Sequence, residues 1–229
     1  MSSHVIARIK DVRKIYRMGT VEVEVLRGVS LDFYSGEYIS IMGPSGCGKS
    51  TMLNLLGCLD RPTHGSYILD GQDVSTIEDD ELSAIRGRKL GFIFQSYNLI
   101  QQLSVLENIE VPLFYQGRPE EESRAIAIDL AKLVGLESRM HHKPFELSGG
   151  QQQRVGIARS LANDPVVLLA DEPTGNLDST SGKDILKIFA DLHARGKTII
   201  MVTHDTGIGQ LTTRCVRFSD GKVESDVRR

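Results

Sequence analysis

The chain has 229 residues, a formal net charge of −3, and 40% hydrophobic against 25% charged residues. That balance suits an ordinary globular protein long enough for a full core, and it gives no global pull toward nucleic acid or anionic lipid. Three cysteines, Cys47, Cys58 and Cys215, are an odd number without metal-ligand spacing, which fits a reducing compartment better than a disulfide framework.

In chain order, VIARIKDV (5–12), VEVEVLRGVSLDFY (21–34) and EYISIMG (37–43) alternate apolar and polar residues between glycine-containing turns. They predict a largely antiparallel sheet feeding a buried strand that ends at Gly43. Residues 49–59 predict a helix. SYILDGQDV (66–74) predicts a hairpin turning at Asp70-Gly71, and KLGFIFQ (89–95) a short buried strand ending at Gln95. From about 104 to 164 the period is helical. Then strand and helix alternate again through VVLLADE, TSGKDILKIFADLHARG and KTIIMVTH.

This alternation predicts an α/β fold with a mostly parallel core sheet, an N-terminal antiparallel β subdomain and an inserted α-helical subdomain. The whole of 1–229 reads as one domain, with the core and β subdomain over about 1–95 and 165–229 and the helical insert over about 96–164. The N-terminal stretch MSSHVIARIKDVRKIY has no apolar run of signal-peptide length, and VVLLA (166–170) and IIMV (199–202) are too short to cross a bilayer. The expectation is a cytoplasmic protein that reaches a membrane only through a partner.

GPSGCGKS (43–50) fits G-x-x-x-x-G-K-[ST] directly after a strand and at a helix start. Gly43, Gly46 and Gly48 let backbone N–H groups curl around a phosphate, with Pro44, Ser45 and Cys47 filling the positions between. Lys49 reaches the β- and γ-phosphates, the Ser50 hydroxyl holds Mg²⁺, and Thr51 follows on the helix. VVLLADEP supplies the second half: Asp171 for the magnesium shell, and Glu172, expected on the opposite side of the strand, as general base toward water.

LSGGQ (147–151) poses a separate question. Ser148 and Gln151 fit a capping box that serves local stability alone. Yet Gly149 and Gly150 each cost about 1 kcal/mol relative to alanine in a helix. Bare glycines at a helix N-terminus make sense where an anion approaches the backbone closely. One chain then carries two phosphate sites, which resolves if two copies lie head to tail and each completes the site of the other.

With LSGGQ between GPSGCGKST and LLADEP, the chain resembles the ABC-type ATPases over nearly its whole length. The resemblance implies a P-loop NTPase core and an ATP-sandwich homodimer using ATP and Mg²⁺. It makes Gln95 the glutamine that joins the magnesium site to the helical subdomain and senses a transporter partner. It places Asp178 of GNLD at the dimer seam, His204 against the γ-phosphate and Tyr16 on the adenine. It also places Ser148, Gly149, Gly150 and Gln151 against the nucleotide of the other copy. Lys49, Gln95, Glu172 and His204 are the implied catalytic set; Ser50, Gln95 and Asp171 are the implied metal set.

IMGPSGCGKSTMLNLLGCLDRPTHG, FIFQSYNLIQQLSVLENIEVPL and HKPFELSGGQQQR further resemble the subgroup of lipoprotein-releasing, macrolide-export and cell-division ATPases. That likeness implies a separate integral membrane permease, with this chain peripheral on the cytoplasmic face of the inner membrane and no nucleic acid bound. The permease is expected to dock beside Gln95 in the 96–115 region, with Leu99, Ile100, Leu103, Val105, Leu106 and Leu113 as candidates. The alternative is an ABC ATPase acting on soluble or nucleic-acid partners. Against it, the chain lacks inserted heptads, zinc cysteines and a second cassette.

Overall fold

A computed structural model describes residues 4–229, so the first three positions of the expected domain lie outside it. β1 (Val5–Met18) pairs antiparallel with β2 (Val21–Tyr34), and β4 (His64–Leu69) takes the other edge of β1. β5 (Gln72–Asp73) returns from β4 through Asp70 and Gly71, whose φ values of 49° and 80° are the positive pair a tight hairpin needs. These four strands form one sheet in the order β2-β1-β4-β5.

The second sheet comprises β3 (Tyr38–Met42), β6 (Leu90–Ile93), β7 (Val167–Asp171), β8 (Ile199–Val202), β9 (Arg214–Ser219) and β10 (Lys222–Arg228), in the order β10-β9-β3-β8-β7-β6. All neighbours are parallel except the β9–β10 hairpin. Both faces of the sheet are covered, which explains the unbroken apolar runs. Leu169, Ile200 and Val202 enter a core shared with the antiparallel sheet, α1 (Lys49–Leu56) and α2 (Asp79–Lys89). Their neighbours Leu168, Ala170, Ile199 and Met201 enter a second core with the helices of the other face.

Those helices are α3 (Val105–Tyr115), α4 (Glu120–Leu133), α5 (Gly149–Leu161) and α6 (Ser179–Ala194). Residues from 99 to 162 share the second core with the sheet and do not close a core of their own. The short α7 (Thr206–Leu211) begins at Asp205, whose side chain accepts from the Gly207 N–H.

The apolar pattern of the sequence marks no element over 79–88 or over 206–228. In α2 only Leu82 and Ile85 are buried, so its apolar stripe is too thin to register, although acids fill its first turn and bases its last. The β9–β10 hairpin turns on Asp220-Gly221, both at positive φ, the same signal that marked Asp70-Gly71. Parallel order matters most for the site. It lines up the C-terminal ends of β3, β8, β7 and β6, and the segments leaving them meet in one crevice.

Candidate functional site

The loop after β3 enters helix α1 through Gly43, Gly46 and Gly48, at φ values of 154°, 78° and 102°. At Gly43 a side chain is excluded by space as well as by backbone, since a Cβ there would stand 2.3 Å from the Phe218 carbonyl oxygen. The Lys49 ammonium folds back to donate to the carbonyls of Gly43 and Pro44, both at 2.8 Å, so the charge sits under the loop. Ser45, Gly46, Gly48, Lys49, Ser50 and Thr51 line a cavity of about 420 Å³. Cys47 is buried beneath the loop, with its sulfur next to Gly43.

Across the same cavity stand Gln95, Asp171, Glu172 and His204, with Val25 and Val202 as its apolar floor. Burial and the neighbouring Glu172 raise the Asp171 carboxyl above its ordinary range, and Lys49 only partly offsets them. Glu172 corrects one expectation. Strict strand alternation sends it to the opposite face from Asp171, but β7 ends at Asp171 and Glu172 takes φ 45°, which turns its carboxylate back into the same cavity. His204, leaving β8, donates from Nδ1 to Glu172 Oε1 at 2.7 Å. A non-glycine residue at positive φ costs about 1–2 kcal/mol, so this carboxylate is held where it is by the surrounding chain.

Gln95 is tethered from behind. Its side-chain amide donates to Asn176 Oδ1 at 3.2 Å, and the Asn176 amide donates to the Gln95 carbonyl at 3.0 Å. Two residues on, Tyr97 and Asn98 are both at positive φ, 61° and 48°. The Arg159 guanidinium clamps this strained pair, donating to the Tyr97 and Asn98 carbonyls at 2.9 and 2.6 Å. Neither Asn176 nor Arg159 stood out in the sequence. Asn176 lies inside the GNLD stretch, while Arg159 occupies an unremarkable helical position.

The remaining candidates lie outside the cavity. Tyr16 does not line it; its hydroxyl donates to Asp60 at 2.7 Å, and burial followed by that carboxylate pushes the phenol up. Ser148 caps α5, accepting from the Gln151 N–H while Gln151 Oε1 accepts from the Ser148 N–H at 3.0 Å. Asp178 caps α6, and hydrogen bonds from Ser181 and the Thr180 N–H hold its carboxyl low. The glycines of LSGGQ have neighbours within the chain: a Cβ on Gly149 would stand 2.8 Å from the Tyr97 hydroxyl, and one on Gly150 would stand 2.9 Å from Ser181 Oγ. Close approach by an outside anion is therefore not the sole reason for glycine at these positions.

The surface beside Gln95 also differs from expectation. Leu99, Val105, Leu106 and Leu113 are buried in the helical core, and neither Ile100 nor Leu103 lines the adjacent groove. The α3 face bearing Val105, Leu106 and Leu113 is consumed by packing on α4 and α5. The groove itself, about 970 Å³, runs between α2, β6, α3 and α5 and presents Leu59, Phe92, Phe94, Val111, Pro112 and Tyr115. Among the described residues, no helix is long and apolar enough to cross a membrane.

The sequence profile of the family described as ABC transporter matches residues 26–175. An uncharacterized ABC transporter ATP-binding protein of Thermotoga maritima is 54% identical over 224 residues, covering 98% of this chain and 96% of that one. The macrolide export ATP-binding/permease protein MacB of Hyphomonas neptunium is 51% identical over 218 residues; the match covers 95% of this chain but 34% of MacB, so the chain spans about a third of that relative. Among solved structures, the dimeric ATP-binding cassette MJ0796 in a post-hydrolysis state bound to ADP and Pi superposes with a TM-score of 0.89. It is 45% identical, over 97% of this chain and 98% of that one.

Proposed function

The chain belongs to the ABC transporter family of ATP-hydrolysing cassettes, and from that premise we propose how its residues bind ATP, hydrolyse it and pass the work to a membrane permease. The observation that carries the proposal is the meeting of Lys49, Ser50, Gln95, Asp171, Glu172 and His204 around one cavity, while Ser148–Gln151 lie outside it. A site with every polar group except the signature turn is consistent with a second copy supplying that turn. The residues of 1–229 act as one domain, with 96–164 as the helical part that faces the partner.

In this reading the loop N–H groups from Gly43 to Thr51 and the Lys49 ammonium hold the β- and γ-phosphates. Tyr16 borders the adenine side, where Thr51 is its neighbour. The donor set also fits magnesium: a hydroxyl at Ser50, an amide at Gln95 and a half-buried carboxylate at Asp171. No group of three His, Cys, Asp or Glu forms a cation cage among the described residues, so phosphate oxygens and water would complete the shell. The ion would supply charge neutralisation at the phosphates.

Glu172 is then the base that takes the proton of the attacking water, with its carboxylate oriented by the His204 imidazole. Ser148, Gly149, Gly150 and Gln151 close over the γ-phosphate of the other copy, with Asp178 at the seam. Gln95 links cavity to partner because it lines the cavity while its chain neighbours Phe94 and Asn98 line the groove. The permease is of the export, lipoprotein-release or mechanotransmission type, and the name of the MacB relative, a macrolide export ATP-binding/permease protein, supports export.

Glu172→Gln keeps the shape and removes the base. With ATP and magnesium it is expected to bind nucleotide, run as a dimer in light scattering, and lose turnover by about 10²–10⁴-fold. Pulled from solubilised membranes of its own cells in that trapped state, it is expected to bring down a permease in stoichiometric amount. Normal turnover would remove Glu172 from the role, and recovery of soluble or nucleic-acid-bound proteins alone would remove the transporter reading.

A further inference from the structure

Tyr16 stands outside the phosphate cavity, yet its ring is held by a dense polar cluster. Its hydroxyl donates to Asp60 Oδ2 at 2.7 Å. The other oxygen of that carboxylate accepts from the Lys14 ammonium at 2.5 Å and from the Arg61 N–H at 2.7 Å. Lys14 also donates to the Arg61 carbonyl at 2.9 Å, and its ammonium stands over one face of the Tyr16 ring, 4.8 Å from the centre. With a cation on that face, a flat ligand stacking on the phenol meets the opposite one.

The acid that holds the ring is itself fixed. Leu59 and Asp60 donate backbone N–H groups to the Asn54 carbonyl at 2.9 and 3.3 Å, which ties Asp60 to the C-terminal end of α1. Thr63 brackets β1 beside it: the Thr63 N–H donates to the Arg13 carbonyl at 2.8 Å, and its hydroxyl accepts from the Ile15 N–H at 3.0 Å. The opposite end of α1 carries Lys49 and Ser50 in the cavity, and the Thr51 hydroxyl neighbours the phenol. One helix of 8 residues, about 12 Å long, therefore runs from the phosphate loop to the carboxylate that holds the ring.

We propose that Asp60 is a positioning residue for the nucleotide: it fixes the Tyr16 ring relative to α1, so that the ring meets the base when the triphosphate sits in the Gly43–Thr51 loop. The inference rests on the reading of Tyr16 as the adenine platform and adds to it the group that orients the platform. The gain is preorganisation. A tyrosine free to turn must be ordered when a base stacks on it, and the bond to Asp60 meets that cost before the ligand arrives. Lys14 and the Arg61 N–H already pair the Asp60 carboxylate, so the phenol is not needed to keep that charge satisfied.

The test compares two ligands by calorimetry on the full chain, MgATP and magnesium tripolyphosphate, the second offering phosphates without a base. Tyr16→Ala should weaken MgATP by about ten- to a hundredfold and spare tripolyphosphate. Tyr16→Phe keeps the ring and drops the hydroxyl; it and Asp60→Ala should each weaken MgATP by about three- to tenfold, again sparing tripolyphosphate. The Tyr16→Phe/Asp60→Ala double variant should bind MgATP about as well as the weaker single, because both singles cut the same bond. In turnover, the loss in Asp60→Ala should appear in KM rather than in kcat.

Asp60→Ala weakening both ligands alike would make it a support of α1 and the phosphate loop, and would overturn the proposal. So would a loss that adds to that of Tyr16→Phe, or wild-type MgATP binding in both single variants. If Tyr16→Ala alone is then weakened, the adenine reading stands without its anchor. Unchanged MgATP binding in Tyr16→Ala would remove the adenine reading, and the anchor with it.

Discussion

Gly150→Ala separates two reasons for a glycine in LSGGQ. In α5 the change gains up to about 1 kcal/mol of helix propensity. Against that, the new Cβ would stand 2.9 Å from Ser181 Oγ and 3.0 Å from Ser181 Cβ. The hydroxyl can rotate away, but the Cβ is fixed to helix α6, so local overpacking costs about 1–3 kcal/mol. The net is about 1 kcal/mol of destabilisation, a fall in Tm of about 2–4 °C for a chain of this size.

Ser181→Gly removes both contacting atoms, so the Gly150→Ala/Ser181→Gly pair should regain most of the interaction loss. Its coupling in a thermal double-mutant cycle is expected at about 1 kcal/mol. Turnover should not follow. If the Gly150 backbone approaches the γ-phosphate of another copy, the methyl blocks that approach, and the loss of one such donor is worth about 10²–10³-fold in rate. The assays are thermal melts of the four proteins without nucleotide, and ATP hydrolysis under conditions where all are folded. A double variant that regains both Tm and turnover would refute the intersubunit role and leave Ser181 as the whole reason for the glycine.

Asp171→Asn should stabilise the nucleotide-free protein by about 1 kcal/mol, because a half-buried carboxylate beside Glu172 is relieved of its charge. The sign over pH follows from the raised carboxyl. Between the unfolded value of 3.8 and the higher folded value the native state binds more protons, so the wild-type chain loses stability as pH rises through that window. Asn should remove that slope in Tm measured from pH 4 to 7, and it should also abolish the extra stabilisation by Mg-ATP; a less stable nucleotide-free variant at pH 7 would contradict the reading.

Arg214→Ala should cost about 3 kcal/mol, since the guanidinium is 3% exposed and its loss takes the close partner from Asp226 and leaves Glu37 only Arg228, at 3.4 Å. Hydrogen exchange should report the loss first in the β9–β10 hairpin. In the wild type, Arg214 holds the Asp226 carboxyl low, so that contribution is complete above 3.8 and drains away as pH falls below it. A melt insensitive to the substitution would show that the hairpin is held by its backbone ladder alone.

Much of the nucleotide cavity was legible beforehand because its chemistry is local. A phosphate cradle needs glycines, a lysine and a hydroxyl within eight positions, and 43–50 carries them in a row. The apolar runs at 166–170 and 199–202 announced strands buried on both faces, and once they are parallel their C-terminal ends must meet. Elements with little apolar signal were lost: α2 buries two side chains, and β10 alternates weakly along an exposed edge.

The docking candidates show the same limit from the other side. Leu99, Val105, Leu106 and Leu113 are apolar and near Gln95 in the chain, but sequence periodicity cannot say which partner an apolar stripe faces. Packing on α4 and α5 took that face, and the groove fell to residues from four separate elements.

What the amino-acid order determined by itself was the kind of chemistry, since charge, hydroxyl and glycine spacing act within a single turn or strand end. What only the tertiary structure decided was the company each group keeps. Glu172 turns into the Asp171 cavity, Asn176 ties Gln95, and Arg159 clamps two strained carbonyls some sixty positions away without an acid of its own. Those are contacts between distant segments, and they exist only because one close-packed arrangement of sheet and helices brings them within hydrogen-bond reach.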